Sequence, residues 1–433
     1  MKRTAFESLK NWKKSQNRKP MILWGARQVG KTWLLKEFGR AEYKQTVYLN
    51  FDDNPQLCAY FRQNLDTARV IGALETHFNL KITPADTLII FDELQECQRA
   101  KDSLKYFNEN APQYHIAAAG SLLGVSGGKF PVGQVDSLTL YPMSFYEFLK
   151  AAEREQLLEA INKQDIHLLE SLSGLLTDML KTYLYVGGMP AVVDIFLKTK
   201  DLAKVRAIQN EILADYKNDF SKHINPNDIA KVRMLWDSIP VHLAREKKKF
   251  IYKEVKTGGR AAEFENAMDW LINTGLVYKV PRTLTPKLPL SRDQEREAFK
   301  IFMLDVGLLC AKTNIDLSSF YIAEPKIFED FHGALSEQYV CQELKTTVST
   351  PLFYWGRDKS SAEIDFIMQY KSEIIPIEVK ANKNTQAKSL KVYIKEYNPK
   401  TAIRTSLKNF GFDGVLYSIP LYMIESLEDI LKD

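Results

Sequence analysis

The sequence predicts an α/β multidomain protein, and three observations carry that expectation. Short apolar runs alternate with helical stretches through the first third, from "MILWG" at Met21 to "YHIAAAGS" ending at Ser121, the βαβ rhythm of a parallel sheet. The chain has 433 residues, more than one core usually organises, because domains run about 100 to 200 residues. Its composition, 45% apolar and 26% charged, is that of a folded globular chain.

The elements follow in order. After "MILWG" the pattern gives a helix from Thr32 to Phe38, then "TVYLNFD", a helical stretch, "TLIIFDE", a further helix and "YHIAAAGS", which together set a first domain at residues 1–150. Residues 151–225 read as a helical segment, broken by "VGGMP", where Gly-Gly and Pro mark a turn between helices. Residues 226–320 run helix, basic hinge "REKKKF", short element, helix "AAEFENAMDWLINT", Gly275 and strand "LVYKV", the order of a winged helix. Phe264, Met268, Leu271 and Ile272 form the packing stripe of that helix, while Glu263, Glu265 and Asp269 make its other face a poor surface for phosphates. The Lys247–Lys249 run could touch a nucleic-acid backbone, although a solvated hinge is the commoner use of such a run. Residues 321–433 give a long helix, "IFEDFHGALSEQYVCQEL", three strands "LFYW", "AEIDFIMQ" and "EIIPIEVK", and a mixed tail.

Charge and cysteine usage narrow the setting. A net charge of +5 permits a nucleic-acid partner without requiring one. The charged N-terminus has no signal-peptide pattern and no run is long enough to span a bilayer, so a cytoplasmic location without membrane contact is expected. Four cysteines without CxxC spacing fit reduced thiols, and the six histidines lack ligand spacing.

The strongest motif is "GARQVGKT", which matches G-x-x-x-x-G-K-[ST] between an apolar strand and a helix. In such a P-loop, the backbone of Gly25, Ala26, Arg27, Gln28, Val29 and Gly30 cradles phosphates, Lys31 reaches the β/γ oxygens, and Thr32 offers its hydroxyl to Mg²⁺. In "TLIIFDE" the strand ends in Asp92, placed to hold Mg²⁺ through water, and Glu93, placed to orient or deprotonate an attacking water. Ser121 follows the next strand, where a γ-phosphate sensor or an ordinary turn serine would sit.

These residues resemble the AAA-type P-loop ATPases. With "AGSLLGV", "FPVGQV", "LYPMSFYEFL" and "GGMP", the chain looks like the bacterial and archaeal members that carry a C-terminal restriction-endonuclease-like domain of unknown function. The resemblance implies a P-loop αβα core that binds ATP and Mg²⁺ and hydrolyses ATP at Lys31, Thr32, Asp92 and Glu93. One departure is Gln134 in "FPVGQV", where a basic residue is expected in many relatives.

The C-terminal strands raise a second candidate. If Lys371 and Ser372 form a two-residue turn, Asp365 faces Glu378 across the hairpin, about 5 Å away, and like charges so placed repel unless a cation intervenes. Lys380 shares the face of Glu378, and the same register puts it opposite Glu363, where an ordinary ion pair would also explain it. Glu337 projects along a partly apolar helix stripe with Val340, Cys341 and Leu344, so its acid needs a partner. Helix acid, hairpin acid and Glu-x-Lys, in that order, are similar to the PD-(D/E)xK nuclease superfamily. The resemblance implies Glu337, Asp365 and Glu378 as Mg²⁺ ligands, Lys380 as catalytic base, and phosphodiester cleavage of nucleic acid, DNA ahead of RNA. The alternative is a nucleotide-switched scaffold whose nuclease-like domain binds DNA or protein and cuts nothing; self-association or a protein partner is open in either case.

Overall fold

A computed structural model describes residues 2–121, 133–245, 249–316, 329–357, 362–381 and 387–432. Lys247 and Lys248 of the basic hinge, together with "LLGV" and "FPV" of the family motifs, lie outside the described residues. The chain divides into two compact units, residues 1–141 with 273–275, and residues 142–272 with 276–433.

The first unit is a parallel sheet of β1 (Met21–Trp24), β2 (Gln45–Asn50), β3 (Thr87–Asp92), β4 (His115–Gly120) and β5 (Asp136–Thr139), in the order β2-β3-β4-β1-β5. Helices α1 (Thr4–Lys14), α2 (Lys31–Glu42), α3 (Thr67–Phe78) and α4 (Gln98–Asn110) accompany it. The apolar runs "LIIF" and "IAAA" have no polar alternation because both faces of β3 and β4 are buried. Alternate residues Val47, Leu49, Ile89, Phe91, Ile116 and Ala118 pack with Val70, Leu74, Leu104 and Phe107 from α3 and α4. That core fixes β3 and β4 side by side, and with them the positions of Asp92 and Ser121 at their ends.

The second unit begins with α5 (Phe145–Ala151), α6 (Glu155–Lys163), α7 (Ile166–Val186), α8 (Pro190–Thr199), α9 (Leu202–His223), α10 (Pro226–Leu243), α11 (Tyr252–Val255) and α12 (Ala261–Asn273). It continues with β6 (Val277–Thr283), β7 (Gln294–Met303), α13 (Val306–Lys312), α14 (Glu329–Thr347), β8 (Phe353–Gly356), β9 (Glu363–Tyr370), β10 (Glu373–Val379), α15 (Lys388–Tyr397), β11 (Ala402–Ser406), β12 (Gly411–Asp413), β13 (Leu416–Pro420) and α16 (Leu427–Ile430). The strands form one mixed sheet, β12-β13-β11-β10-β9-β8-β6-β7. β6, the strand expected to close the winged-helix order, forms a hairpin with β7 and shares its sheet with the C-terminal strands through the parallel β6–β8 pairing.

"GGMP" and "YPMSFYEFL" meet in this unit. Gly188 presses flat against Met143: a Cβ there would stand 2.0 Å from the Met143 carbonyl oxygen, and the Met143 amide donates to Gly188 O at 2.7 Å. Asp305 accepts from the Gly188 amide at 2.6 Å and from the Leu308 amide, capping α13. On the other side of the motif, Ser144 caps α5 in a capping box with Glu147, and Glu425 accepts from Ser144 Oγ and from the Tyr146 amide.

Candidate functional site

The phosphate cradle forms where β1 turns into α2. Gly25 has φ +153°, and a Cβ there would stand 2.3 Å from the Leu140 carbonyl, so only glycine lets the loop pass. Gln28 (φ 65°) and Gly30 (φ 96°) are left-handed and turn the loop back onto the first turn of α2. Arg3 holds the loop from outside by donating to Val29 O at 2.9 Å.

Lys31 is buried and donates to the carbonyls of Gly25 (2.9 Å) and Ala26 (2.7 Å). Burial pulls its ammonium down to about 8, against the opposing pull of Glu93 and Asp92, so the group is poised to gain from an anion in the loop. Thr32 Oγ1 donates to Asp92 Oδ2 at 2.8 Å, and Tyr48 OH donates to the same oxygen at 2.7 Å. Tyr48, on the neighbouring β2, carries no motif signal and was not legible as a site residue. Asp92 Oδ1 accepts from the Glu93 N–H at 3.1 Å, and Glu93 itself sits in a left-handed conformation (φ 50°) at the strand end. Ser121 is buried at the end of β4, which separates β3 from β1, and its Oγ has no hydrogen-bond partner among the described residues.

These residues fit ATP and Mg²⁺. The converging Thr32 hydroxyl and Asp92 carboxylate are hard oxygen donors for the cation, Lys31 and the loop amides suit the phosphates, and the orphaned Ser121 hydroxyl lacks only an acceptor. When bound, Mg²⁺ would neutralise charge on the phosphates. Gln134, the departure from the family pattern, accepts from Asn108 Nδ2 at 2.6 Å.

The carboxylate hairpin folds in the expected register. The β9–β10 ladder pairs Tyr370 with Glu373 and runs to Phe366 with Ile377, so the next pair is Asp365 and Glu378. Asp365 Oδ2 accepts from the Val379 amide at 2.8 Å. Glu337 reaches the same area because Gln338, its neighbour on α14, is bonded to both backbone groups of Met303 and so locks the helix to β7.

The expected pairing of charges is corrected by Lys300, a residue the sequence reading passed over. Its side chain, 1% exposed, places Nζ 2.6 Å from Glu363, 3.4 Å from Glu337 and 3.5 Å from Asp365. Glu363 is thus paired with Lys300, and Lys380 is paired with Glu378 at 2.7 Å. Lys300 thus sets an ammonium against Glu337, Glu363 and Asp365, while Glu378, which faces Asp365, is met by Lys380; among the described residues no group of three or more His, Cys, Asp or Glu is arranged to hold a metal ion. Burial works to lower the Lys300 ammonium, but Glu337, Glu363 and Asp365 together raise it well above its ordinary value. Lys380 is likewise raised: burial opposes its charge, and Glu378 beside it outweighs burial. Burial raises Glu378, partly offset by Lys380, and its Oε2 has no hydrogen-bond partner among the described residues. A signal was present in "EAFKIFM", where one lysine interrupts an apolar strand.

Residues 17–149 match the family described as AAA domain. The first unit carries an AAA-type P-loop ATPase domain. Residues 177–319 and 332–424 match two families described only as domains of unknown function, DUF8612 and DUF4143. No curated protein matches the chain. Among solved structures, the Walker-type ATPase PABY2304 of Pyrococcus abyssi is 12% identical with a TM-score of 0.43, covering 71% of this chain and 94% of its own. The ORC1 protein of Aeropyrum pernix in complex with DNA is 11% identical at a TM-score of 0.29 (73% and 92% covered). A single-residue variant of RuvB from Thermotoga maritima is 12% identical at 0.30 (67% and 89%). None of these scores reaches 0.5, and the assignment rests on the domain match and the cradle geometry. Among the described residues, no helix is long and apolar enough to cross a membrane.

Proposed function

We propose that the chain binds ATP with Mg²⁺ in the Gly25–Thr32 loop and hydrolyses it, with Thr32 and Asp92 at the cation and Glu93 orienting the attacking water. The observation that carries this is the Thr32–Asp92 hydrogen bond of 2.8 Å beside a buried Lys31 that donates only to loop carbonyls among its described hydrogen bonds. Ser121, whose buried hydroxyl lacks a partner, is the contact for the γ-phosphate in this reading. Phosphate release by the purified chain, compared with Lys31→Ala and Glu93→Gln, tests the reading: both variants should lose turnover by about 100-fold or more, and turnover at the parental rate in Lys31→Ala would sink it.

The C-terminal module is proposed as a restriction-endonuclease-like fold that engages DNA or protein without cutting. The hairpin register and the acid on α14 support the nuclease-like fold; the buried Lys300 among the acids favours the non-cutting alternative over Mg²⁺-dependent cleavage. The order α10, α11, α12 and the β6–β7 hairpin supports a winged helix in residues 226–320, whose acidic helix face, with Glu263 paired to Lys256 at 2.9 Å, suits protein contact better than phosphate contact. Incubation with single- and double-stranded DNA and Mg²⁺ or Mn²⁺ should give binding at most; cleavage abolished by Glu378→Ala would reverse this choice.

A further inference from the structure

One side chain connects the end of β3 with the end of β4. Gln95, in the single turn Leu94–Glu96, donates from Nε2 to Glu93 Oε2 at 2.5 Å and accepts at Oε1 from the Ser121 amide at 3.3 Å. A carboxylate only accepts and an amide N–H only donates, so both bonds hold in one orientation of the Gln95 amide and are lost together if it flips. A Cβ on Gly120 would stand 3.0 Å from the Trp24 ring, so glycine at the end of β4 makes room for that ring, with Gln95 Oε1 at an ordinary contact distance of 3.6 Å. Glu93 needs such a hold. Its backbone is left-handed, a conformation that costs a non-glycine residue about 1 kcal/mol, and among the described residues Gln95 is a side chain that hydrogen-bonds its carboxylate.

From this arrangement we infer that Gln95 is a positioning residue for hydrolysis, aiming the Glu93 carboxylate from a fixed point on the Ser121 backbone. The inference rests on the ATP reading above. Ser121 thereby has two parts: its free hydroxyl faces the reacting phosphate, and its amide sets Gln95, so an oxygen bound at the hydroxyl and the carboxylate that orients water are registered through one residue at each end. Gln95 acts through the Glu93 carboxylate that it binds.

Gln95→Met keeps the length and bulk of the side chain while removing both hydrogen bonds, and Gln95→Glu keeps the acceptor toward Ser121 while setting a like charge against Glu93. Both should lower kcat for ATP by roughly 10-fold or more, leave KM and the affinity for a fluorescent ATP analogue unchanged, and leave the melting temperature near that of the parent. In a Glu93→Gln background, Gln95→Met should cause no further loss. Parental kcat in Gln95→Met, a loss confined to KM, or a full additional loss in the Glu93→Gln background would each overturn the inference. Analogue binding on the same samples separates the two readings: a parent chain that binds no nucleotide overturns the ATP reading and this one with it, whereas binding and turnover unaffected by Gln95 overturn this one alone.

Discussion

The ammonium of Lys300 stands 2.6 Å from the carboxylate of Glu363, inside a cluster that also holds Glu337 and Asp365. A lysine on β7 supplies the ammonium beside these three acids, and Lys380 supplies the one beside Glu378, the acid that faces Asp365. That one relationship decides how the second candidate site is read.

Removing the ammonium should be costly. Lys300→Met removes the buried ammonium from three carboxylates at once, and breaking a buried ion cluster from one side destabilises by about 3 to 5 kcal/mol. Urea denaturation should show that loss, and millimolar Mn²⁺ should restore part of it in the variant while leaving the parent unmoved. A variant as stable as the parent would contradict the role given to Lys300.

Nucleotide binding should take up protons in mild alkali. Because Lys31 is held down to about 8 by burial, a fraction of the chain is deprotonated there at about pH 8 and above, and a phosphate draws the proton back. Calorimetry of ATP binding in buffers of different ionisation enthalpy should give a positive uptake that vanishes below about pH 7 and in Lys31→Ala.

The second unit should lose stability as pH rises toward neutral. Burial pushes Glu425 up to about 7 and Asp305 up to about 6, so the folded form binds these protons more tightly than an unfolded chain does. The stabilisation is full below about pH 4, where unfolded carboxyls titrate, and is lost as pH rises through about 6 to 7. Glu425→Gln should flatten this decline, by an amount on the order of 3 kcal/mol between about pH 4.5 and 8, measured by denaturant midpoints across that range.

Gly188→Ala should unfold or strongly weaken the second unit, because its Cβ would collide at 2.0 Å with Met143 O, a backbone atom that cannot swing aside. A loss above about 3 kcal/mol is expected, read from thermal melting, with nucleotide binding in the first unit measured alongside.

Much of this was legible in the sequence because the signals were local. The P-loop announces itself in eight consecutive residues, and the βαβ rhythm follows from strands buried on both faces. The hairpin register was equally local, since a two-residue turn at Lys371 and Ser372 fixes every pair behind it. What escaped was set by tertiary pairing. Lys300 is 63 to 65 residues in sequence from Glu363 and Asp365, and nothing short of the sheet order β9-β8-β6-β7 brings it to them. The same holds for Glu363, given Lys380 by strand register and Lys300 by the fold, and for Gln95, whose two bonds depend on β3 and β4 being neighbours. β6 also reaches beyond its own segment, because it finds β8 as a partner.

The most direct test is the number and location of bound Mn²⁺ ions, measured by equilibrium dialysis with and without a non-hydrolysable ATP analogue. One sub-millimolar Mn²⁺ per chain should appear only with the analogue and should vanish in Asp92→Asn. An Mn²⁺ ion bound without nucleotide, and lost in Asp365→Ala or Glu378→Ala, would contradict the account.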